Sequence, residues 1–236
     1  MKAMVLAAGR GERMGELTLK RPKPLIEVAG KPLLQHHLER LKVAGFTEIV
    51  INTSYLGNQI QEFVGDGSQW GLTISCTYEE ARLETAGGIL NALPLLGTDP
   101  FLVINGDIWI DYPLQQLRRP LSELSGCGKL AAPGNDPMAH LILVDNPSHH
   151  PEGDFALQDG LVNVEGDCKL TFSGLSVLSP TLFAASEPGR APLAPLLRGY
   201  MATHRVTGEH FNGTWIDVGT PLRLQQLADQ LSSVTN

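Results

Sequence analysis

Four charged residues stand at positions where chemistry is easy to imagine: Arg13, Lys23, Asp107 and Asp217. The stretch LAAGRGERM (6–14) puts Gly9, Gly11 and Arg13 directly behind a short apolar run, and Lys23 follows between Pro22 and Pro24. Glycine lets backbone N–H groups approach an anion where no Cβ intervenes, and cations neutralise its charge. Two prolines restrict the backbone on either side of Lys23 and fix its direction. A held lysine beside a glycine loop that carries an arginine meets the needs of a triphosphate. Asp107, in VINGDIWID, sits just past a buried strand, and Asp217, in TWIDVGTP, just before a glycine turn. Either aspartate alone reads as a cap or turn residue. Together they fit Mg²⁺, which takes one or two protein carboxylates and leaves its other positions to water and phosphate oxygens.

Other readings of the glycine loop fit less well. The dinucleotide fingerprint GxGxxG fails by one position, since Gly9 and Gly11 are followed by Met14 and then Gly15, and Asn52-Thr53 stand where an acidic residue is needed. The P-loop fails because Gly30-Lys31 is followed by Pro32. A tight strand-to-helix turn with solvated charges stays open for an isolated glycine pair.

The elements that must hold these residues alternate between strand and helix. Strands are expected at 4–8, 48–52, 72–78 and 101–104, and helices at 32–44, 56–64 and 85–96. Gly45 stands where a helix C-terminus wants glycine. This rhythm predicts an α/β fold: a Rossmann-like, mostly parallel sheet with helices on both faces. Ligands then gather beyond the carboxyl ends of the strands, where both GRGER and NGD fall. The second half reads as strands at 141–144, 153–157 and 170–178, helices at 192–202 and 221–231, and a strand entering a turn at 213–220, with a loop at 125–136. It is expected to add a smaller antiparallel lid region. No repeat or linker divides the chain, so one domain over 1–236 is expected, with a first half at 1–112 and a second at 113–236.

The contiguous pattern LAAGRGERM…RPKPL…GKPLL resembles the signature of the sugar-1-phosphate nucleotidylyltransferases. Glu16-Leu17-Thr18 departs from the Pro-Leu-Thr of many members. The resemblance implies that Ala8, Gly9, Gly11, Glu12 and Arg13 bind the nucleotide, with Arg13 and the loop amides on the β- and γ-phosphates. Lys23 is then placed on the α-phosphate or the incoming sugar phosphate, and Asp107 and Asp217 become the Mg²⁺ ligands. Arg13, Lys23 and Asp107 form the catalytic set. YEEARLETAGGIL (78–90) corresponds to the base-recognition segment, which assigns Glu79 to the base and Thr85 to base or ribose. Gly87-Gly88 reads equally as a ligand approach and as close helix packing. Asn105, Gly153, Asp154 and Glu165 are the implied sugar contacts. Glu165-Gly166-Asp167 replaces the Glu-Lys-Pro of many relatives and removes their lysine.

VDNPSHHPEGDF (144–155), ETAGGIL, FSGLSVL and WIDVGTPLRL are similar to the branch of that family that uses N-acetylmuramate α-1-phosphate. The implied partners are UTP and that sugar phosphate, with His149 or His150 as a donor to the sugar's carboxylate. The same chemistry on mannose-1-phosphate with GTP, or glucose-1-phosphate with dTTP or UTP, stays open, as does a silent binding subunit of the same fold. No C-terminal β-helix is expected.

Bulk properties agree with a small anionic substrate. A net charge of −7 disfavours nucleic acid, which needs clustered cations. No apolar run is long enough for a bilayer and the N-terminus lacks a signal-peptide layout, so no membrane partner and a cytoplasmic location are expected. Cys76, Cys127 and Cys168 have no CxxC spacing and read as core or surface residues rather than metal ligands. A monomer or small homo-oligomer is expected.

Overall fold

Alternating burial sets the central sheet. In β1 (Lys2–Leu6), Ala3 and Val5 pack on one face and Met4 on the other, as a two-residue period requires. The same alternation recurs in β4 (Glu48–Thr53) and β6 (Phe101–Asn105), where Ile49, Ile51, Leu102 and Ile104 share the first face and Val50, Phe101 and Val103 the second. The computed structural model describes residues 1–125 and 136–234. Cys127 and nearly all of the expected 125–136 loop therefore lie outside the described residues.

Short pieces complete the first half. β2 (Glu27–Val28) and β3 (Lys31–Pro32) form a small ribbon, β5 (Thr73–Tyr78) lies beside β4, and β7 (Ile108–Ile110) follows β6. The helices here are α1 (Leu33–Val43), α2 (Gly57–Val64), α3 (Glu84–Leu96) and α4 (Arg118–Leu124). The second half supplies β8 (Ala139–Val144), β9 (Phe155–Gln158), β10 (Leu161–Asn163), β11 (Lys169–Leu178), β12 (Val206–His210) and β13 (Trp215–Asp217), with α5 (Leu193–Met201) and α6 (Pro221–Val234).

Nine strands make one sheet in the order β5-β4-β1-β6-β11-β8-β12-β10-β9. β5, β4, β1 and β6 are parallel, β11 runs against both β6 and β8, and β12 is parallel to β8. The antiparallel strands thus belong to the same sheet as the parallel ones. Helices α1, α2 and α4 cover one face, through Leu38, Ile60 and Leu121. Helices α3 and α5 cover the other, through Ile89 and Leu197, so helices lie on both faces as expected.

Gly45 ends α1 at φ 84°, with its N–H on Lys42 O at 2.9 Å and the Phe46 N–H on Leu41 O at 3.0 Å, a Schellman closure. Two expected boundaries move for visible reasons. β1 stops at Leu6, not residue 8, because the Ala7 N–H leaves the ladder to donate to Asn52 Oδ1 at 2.8 Å. The strand expected from 153 begins at Phe155, because Gly153 is left-handed (φ 65°) and packs against the Lys169 carbonyl.

Candidate active site

A cleft opens beyond the carboxyl ends of the parallel strands. Leu6 at the end of β1 and Ala7, Ala8 and Gly9 behind it line it, with Asn52, Glu79, Asn105, Gly106, Asp107, Lys23, Pro24, Arg82, Glu84 and Thr85. Gly106 is needed where β6 ends: its N–H donates to Leu6 O at 2.8 Å, and a Cβ there would stand 2.6 Å from that same oxygen.

The glycines of the loop have different tasks. Around Gly9 there is open space, so its backbone faces the cleft unobstructed. Gly11 is left-handed (φ 69°) and rests on the lysine: its Cβ position lies 3.0 Å from Lys23 Cβ and 3.2 Å from Lys23 Cδ. The loop then turns into a 3-10 segment (Glu12–Thr18), closed by Thr18 Oγ1 donating to Gly11 O at 3.0 Å. Lys23 itself starts a one-turn 3-10 segment behind Pro22, so its backbone is fixed from both sides. Its side chain is 7% exposed, yet its Nζ reaches Asp107 Oδ2 at 2.7 Å, and that carboxylate is 45% exposed. A buried cation therefore holds an open carboxylate at the cleft wall.

Asp107 and Asp217 meet through a ribbon too short to read from sequence. β7 pairs antiparallel with β13, matching Ile108 to Asp217, and the Val218 N–H donates to Asp107 O at 2.8 Å. The two aspartates are thus brought to one end of the ribbon. Asp217 Oδ1 pairs with Arg223 Nη1 at 2.6 Å, and His149 Nε2 lies 3.3 Å from the same oxygen. Arg223 Nη1 also donates to His149 Nε2 at 2.6 Å. Gly219 makes room for the arginines, since a Cβ there would strike Arg223 Nη2 and lie 3.1 Å from Arg13 Nη2. Arg13, in the first loop, therefore arrives beside Gly219, two residues past the second aspartate.

The segment expected to read the base is a hydrogen-bonded relay. Asn52 accepts from Ala7 N–H and donates through Nδ2 to Glu79 Oε1 at 2.7 Å, and the Leu83 N–H donates to Glu79 Oε2 at 3.2 Å. Both oxygens of the buried Glu79 are engaged, so it shapes the cleft floor by holding Asn52. Gly88 is small because that relay passes over it: its Cβ position lies 2.6 Å from Glu79 Oε1 and 2.9 Å from Asn52 Nδ2. Gly87 donates to Ala191 O at 3.1 Å and would clash with Gly189 O if substituted. Of the two readings left open for this pair, close packing holds. Thr85 lies in the cleft lining at the start of α3.

The expected sugar residues are only partly assembled. Asn105 lines the cleft, and Gly174 at φ 83° gives it space within a β11 bulge, where register slips between Phe172 and Ser176. Gly153 answers a packing need, with a Cβ position 2.7 Å from Asn146 Oδ1 and 2.8 Å from the Lys169 carbonyl carbon. Asp154 accepts from Phe172 N–H at 2.8 Å and pairs with His150 Nε2 at 3.1 Å. Glu165 is not brought to the cleft: it is exposed, pairs with Lys169 at 3.3 Å and lines a separate groove with Asp159 and His204. Glu12 also points away, exposed and 3.8 Å from Arg10. Sequence reasoning missed Arg223, Arg82 and Glu84. Glu84 carried a signal only in hindsight, since it is a non-glycine residue at φ 61° paired with Arg190.

The donor set suits a hard divalent cation. Two carboxylates stand at one end of the same short ribbon, and each is paired with a cation, Lys23 or Arg223. No group of three or more His, Cys, Asp or Glu that could hold a metal occurs among the described residues. Mg²⁺ takes one or two protein carboxylates and completes its shell with phosphate and water, so Asp107 and Asp217 are the residues that would hold it.

The Rossmann-like edge carries a glycine loop, a held lysine and two aspartates joined by one short ribbon, and the chain belongs to the nucleotidyl transferase family, whose model matches residues 2–132. It is a sugar-1-phosphate nucleotidyltransferase by its relatives. It is 52% identical over 231 residues, 96% of each chain, to the N-acetylmuramate alpha-1-phosphate uridylyltransferase of Neisseria meningitidis serogroup B. The protein of that name from Caulobacter vibrioides is 34% identical over 93% of this chain and 92% of its own. The fold matches a putative glucose-1-phosphate thymidylyltransferase from Bacillus anthracis, with a TM-score of 0.82 at 20% identity, covering 98% of this chain and 94% of that one. No helix of the described residues is long and apolar enough to cross a membrane.

Proposed function

We propose that this chain transfers UMP from UTP to N-acetylmuramate α-1-phosphate, giving UDP-N-acetylmuramate and pyrophosphate in peptidoglycan recycling. The observation that carries the transfer chemistry is the Lys23–Asp107 pair at 2.7 Å in the cleft, joined through the short ribbon to Asp217. The choice of base and sugar rests on the 52% identity to the meningococcal enzyme.

A sugar-phosphate oxygen attacks the α-phosphorus in line. The new P–O bond forms as the bond to the β-phosphate oxygen breaks, and pyrophosphate leaves with that electron pair. No general base is needed, because the attacking oxygen is already ionised. The protein's contribution is position and charge. Lys23, fixed by its prolines and by Gly11, meets the charge developing at the α-phosphate. The open backbone at Gly9 and the guanidinium of Arg13 bind the departing phosphates. Thr85 borders the base or ribose, and Asn105 the sugar. Residues 1–112 supply the nucleotide side, and the later strands the sugar side. Mg²⁺, held by Asp107 and Asp217, would neutralise phosphate oxygens and draw the two substrates together.

The test is pyrophosphate release over a grid of nucleoside triphosphates and sugar-1-phosphates. UTP with N-acetylmuramate-1-phosphate should give the highest kcat/KM, and N-acetylglucosamine-1-phosphate should be used less well. If GTP with mannose-1-phosphate or dTTP with glucose-1-phosphate is faster, the base and sugar assignment fails.

A further inference from the structure

Arg223 lies in the first turn of α6, a place where an arginine ordinarily faces water. Here its side chain is only 13% exposed, and it is turned inward onto Asp217. Its Nε is buried and has no hydrogen-bond partner, and neither has Asp217 Oδ1, which meets Arg223 Nη1 as an ion pair alone. A buried guanidinium with a vacant donor is costly unless something completes it. Arg13 approaches the same point from the first loop. Both Nη2 atoms crowd the Cβ position of Gly219, so two guanidiniums are close neighbours across a residue with no side chain. Among the described residues Arg13 has no ion-pair partner of its own. Like charges in that arrangement repel unless an anion lies between them, and planar guanidiniums match phosphate oxygens.

We propose that Arg223 and Arg13 form a phosphate clamp across Gly219, with Asp217 holding Arg223 in place until substrate phosphates take it over. This rests on the nucleotidyl-transfer reading above and adds to it a binding residue from the last helix. The ligand class is the pyrophosphate end of the nucleotide, because Arg223 lies beside both Arg13 and a carboxylate of the proposed cation site. A cation arriving at Asp217 competes for the oxygen that Arg223 holds, so the arginine is released where the phosphates bind. His149, accepting from the same Nη1 that meets Asp217, steadies the guanidinium at that end and leaves Nε and Nη2 to the clamp.

Calorimetric binding of inorganic pyrophosphate in EDTA tests the clamp without relying on base, sugar or turnover. Arg223→Gln should weaken binding by about tenfold or more, the worth of a charge-assisted pair, and Arg223→Lys should fall between. Asp217→Asn frees the arginine and should tighten binding by about fivefold in the wild-type background, but by less than about twofold in the Arg223→Gln background. Binding within twofold of wild type for Arg223→Gln overturns the proposal. So does an equal effect of Asp217→Asn in both backgrounds. Unchanged pyrophosphate binding with a lost preference for an acidic sugar also overturns it, and reassigns Arg223 to the sugar's carboxylate. If Arg223→Gln does not fold, Asp217→Asn alone decides, and binding that fails to tighten overturns the clamp. Should wild-type protein release no pyrophosphate from any pair and yet show this binding pattern, the reaction assignment fails and the clamp stands.

Discussion

Lys23 is the side chain on which the proposed chemistry leans hardest. Its stem is packed under Gly11 and its head is spent on Asp107, so its position does not have to be organised when substrates arrive. Preorganised charge of this kind acts on the transition state more than on the bound substrates. Lys23→Ala should lower kcat by about 10²–10³-fold, the scale for one such donor, and change KM for UTP much less. A steady-state comparison decides, and an unchanged kcat with a raised KM would reduce Lys23 to a binding residue. Residues of this sort were legible in the sequence because their signals are local: glycines, flanking prolines and a carboxylate beside a turn. Arg223 and His149 were not legible in that way. They meet Asp217 only because a loop from the second half and the last helix converge on the β7–β13 ribbon.

Among the elements, α3 shows how packing substitutes for ligand contact. Its two glycines would weaken an isolated helix, yet Gly88 leaves space for the Asn52–Glu79 relay and Gly87 for the chain at Gly189. Gly88→Ala should cost about 1–3 kcal/mol of stability by overpacking that relay, with a raised KM for the nucleotide. Urea unfolding beside steady-state kinetics checks it, and an unaltered midpoint would mean the relay gives way without cost. The periodicity located β1, β4, β5, β6, β8 and β11 and the face-covering helices α1, α2, α3 and α5, but not α4. It could not show that β11 runs antiparallel between β6 and β8, because alternation tells which face a residue takes and says nothing of the pairing partner. β7, β10 and β13 are three residues each, below the length at which a period can be counted. The strand expected around 213–220 kept only its core, Trp215–Asp217, and that fragment positions the second aspartate.

At the scale of the whole molecule, the same sheet that presents the cleft also buries histidines. His37 on α1 is fully buried, and burial first, then Arg40 and His36, push its pKa down to about 3 against a smaller opposing pull from Asp107. Burial also lowers His140 on β8. An unfolded histidine protonates near pH 6.5, so between there and about pH 3 the unfolded chain holds a proton that folded His37 refuses. Stability is therefore full above that window and is lost as pH falls through it, by up to about 1.4 kcal/mol per pH unit for this residue. Urea unfolding from about pH 7 to about pH 5 should show the slope, and His37→Leu should flatten it. An identical slope in the variant would remove His37 from the account. The central claim is narrower: a three-residue ribbon places Asp217 beside Asp107 so that the two serve one transfer step. It is tested most directly by the turnover of Asp217→Asn with UTP and N-acetylmuramate-1-phosphate in saturating Mg²⁺, alongside its thermal unfolding. A folded variant slowed by orders of magnitude is the predicted result, since losing a metal-held contact is worth several kcal/mol. A folded variant with near-normal turnover would contradict it.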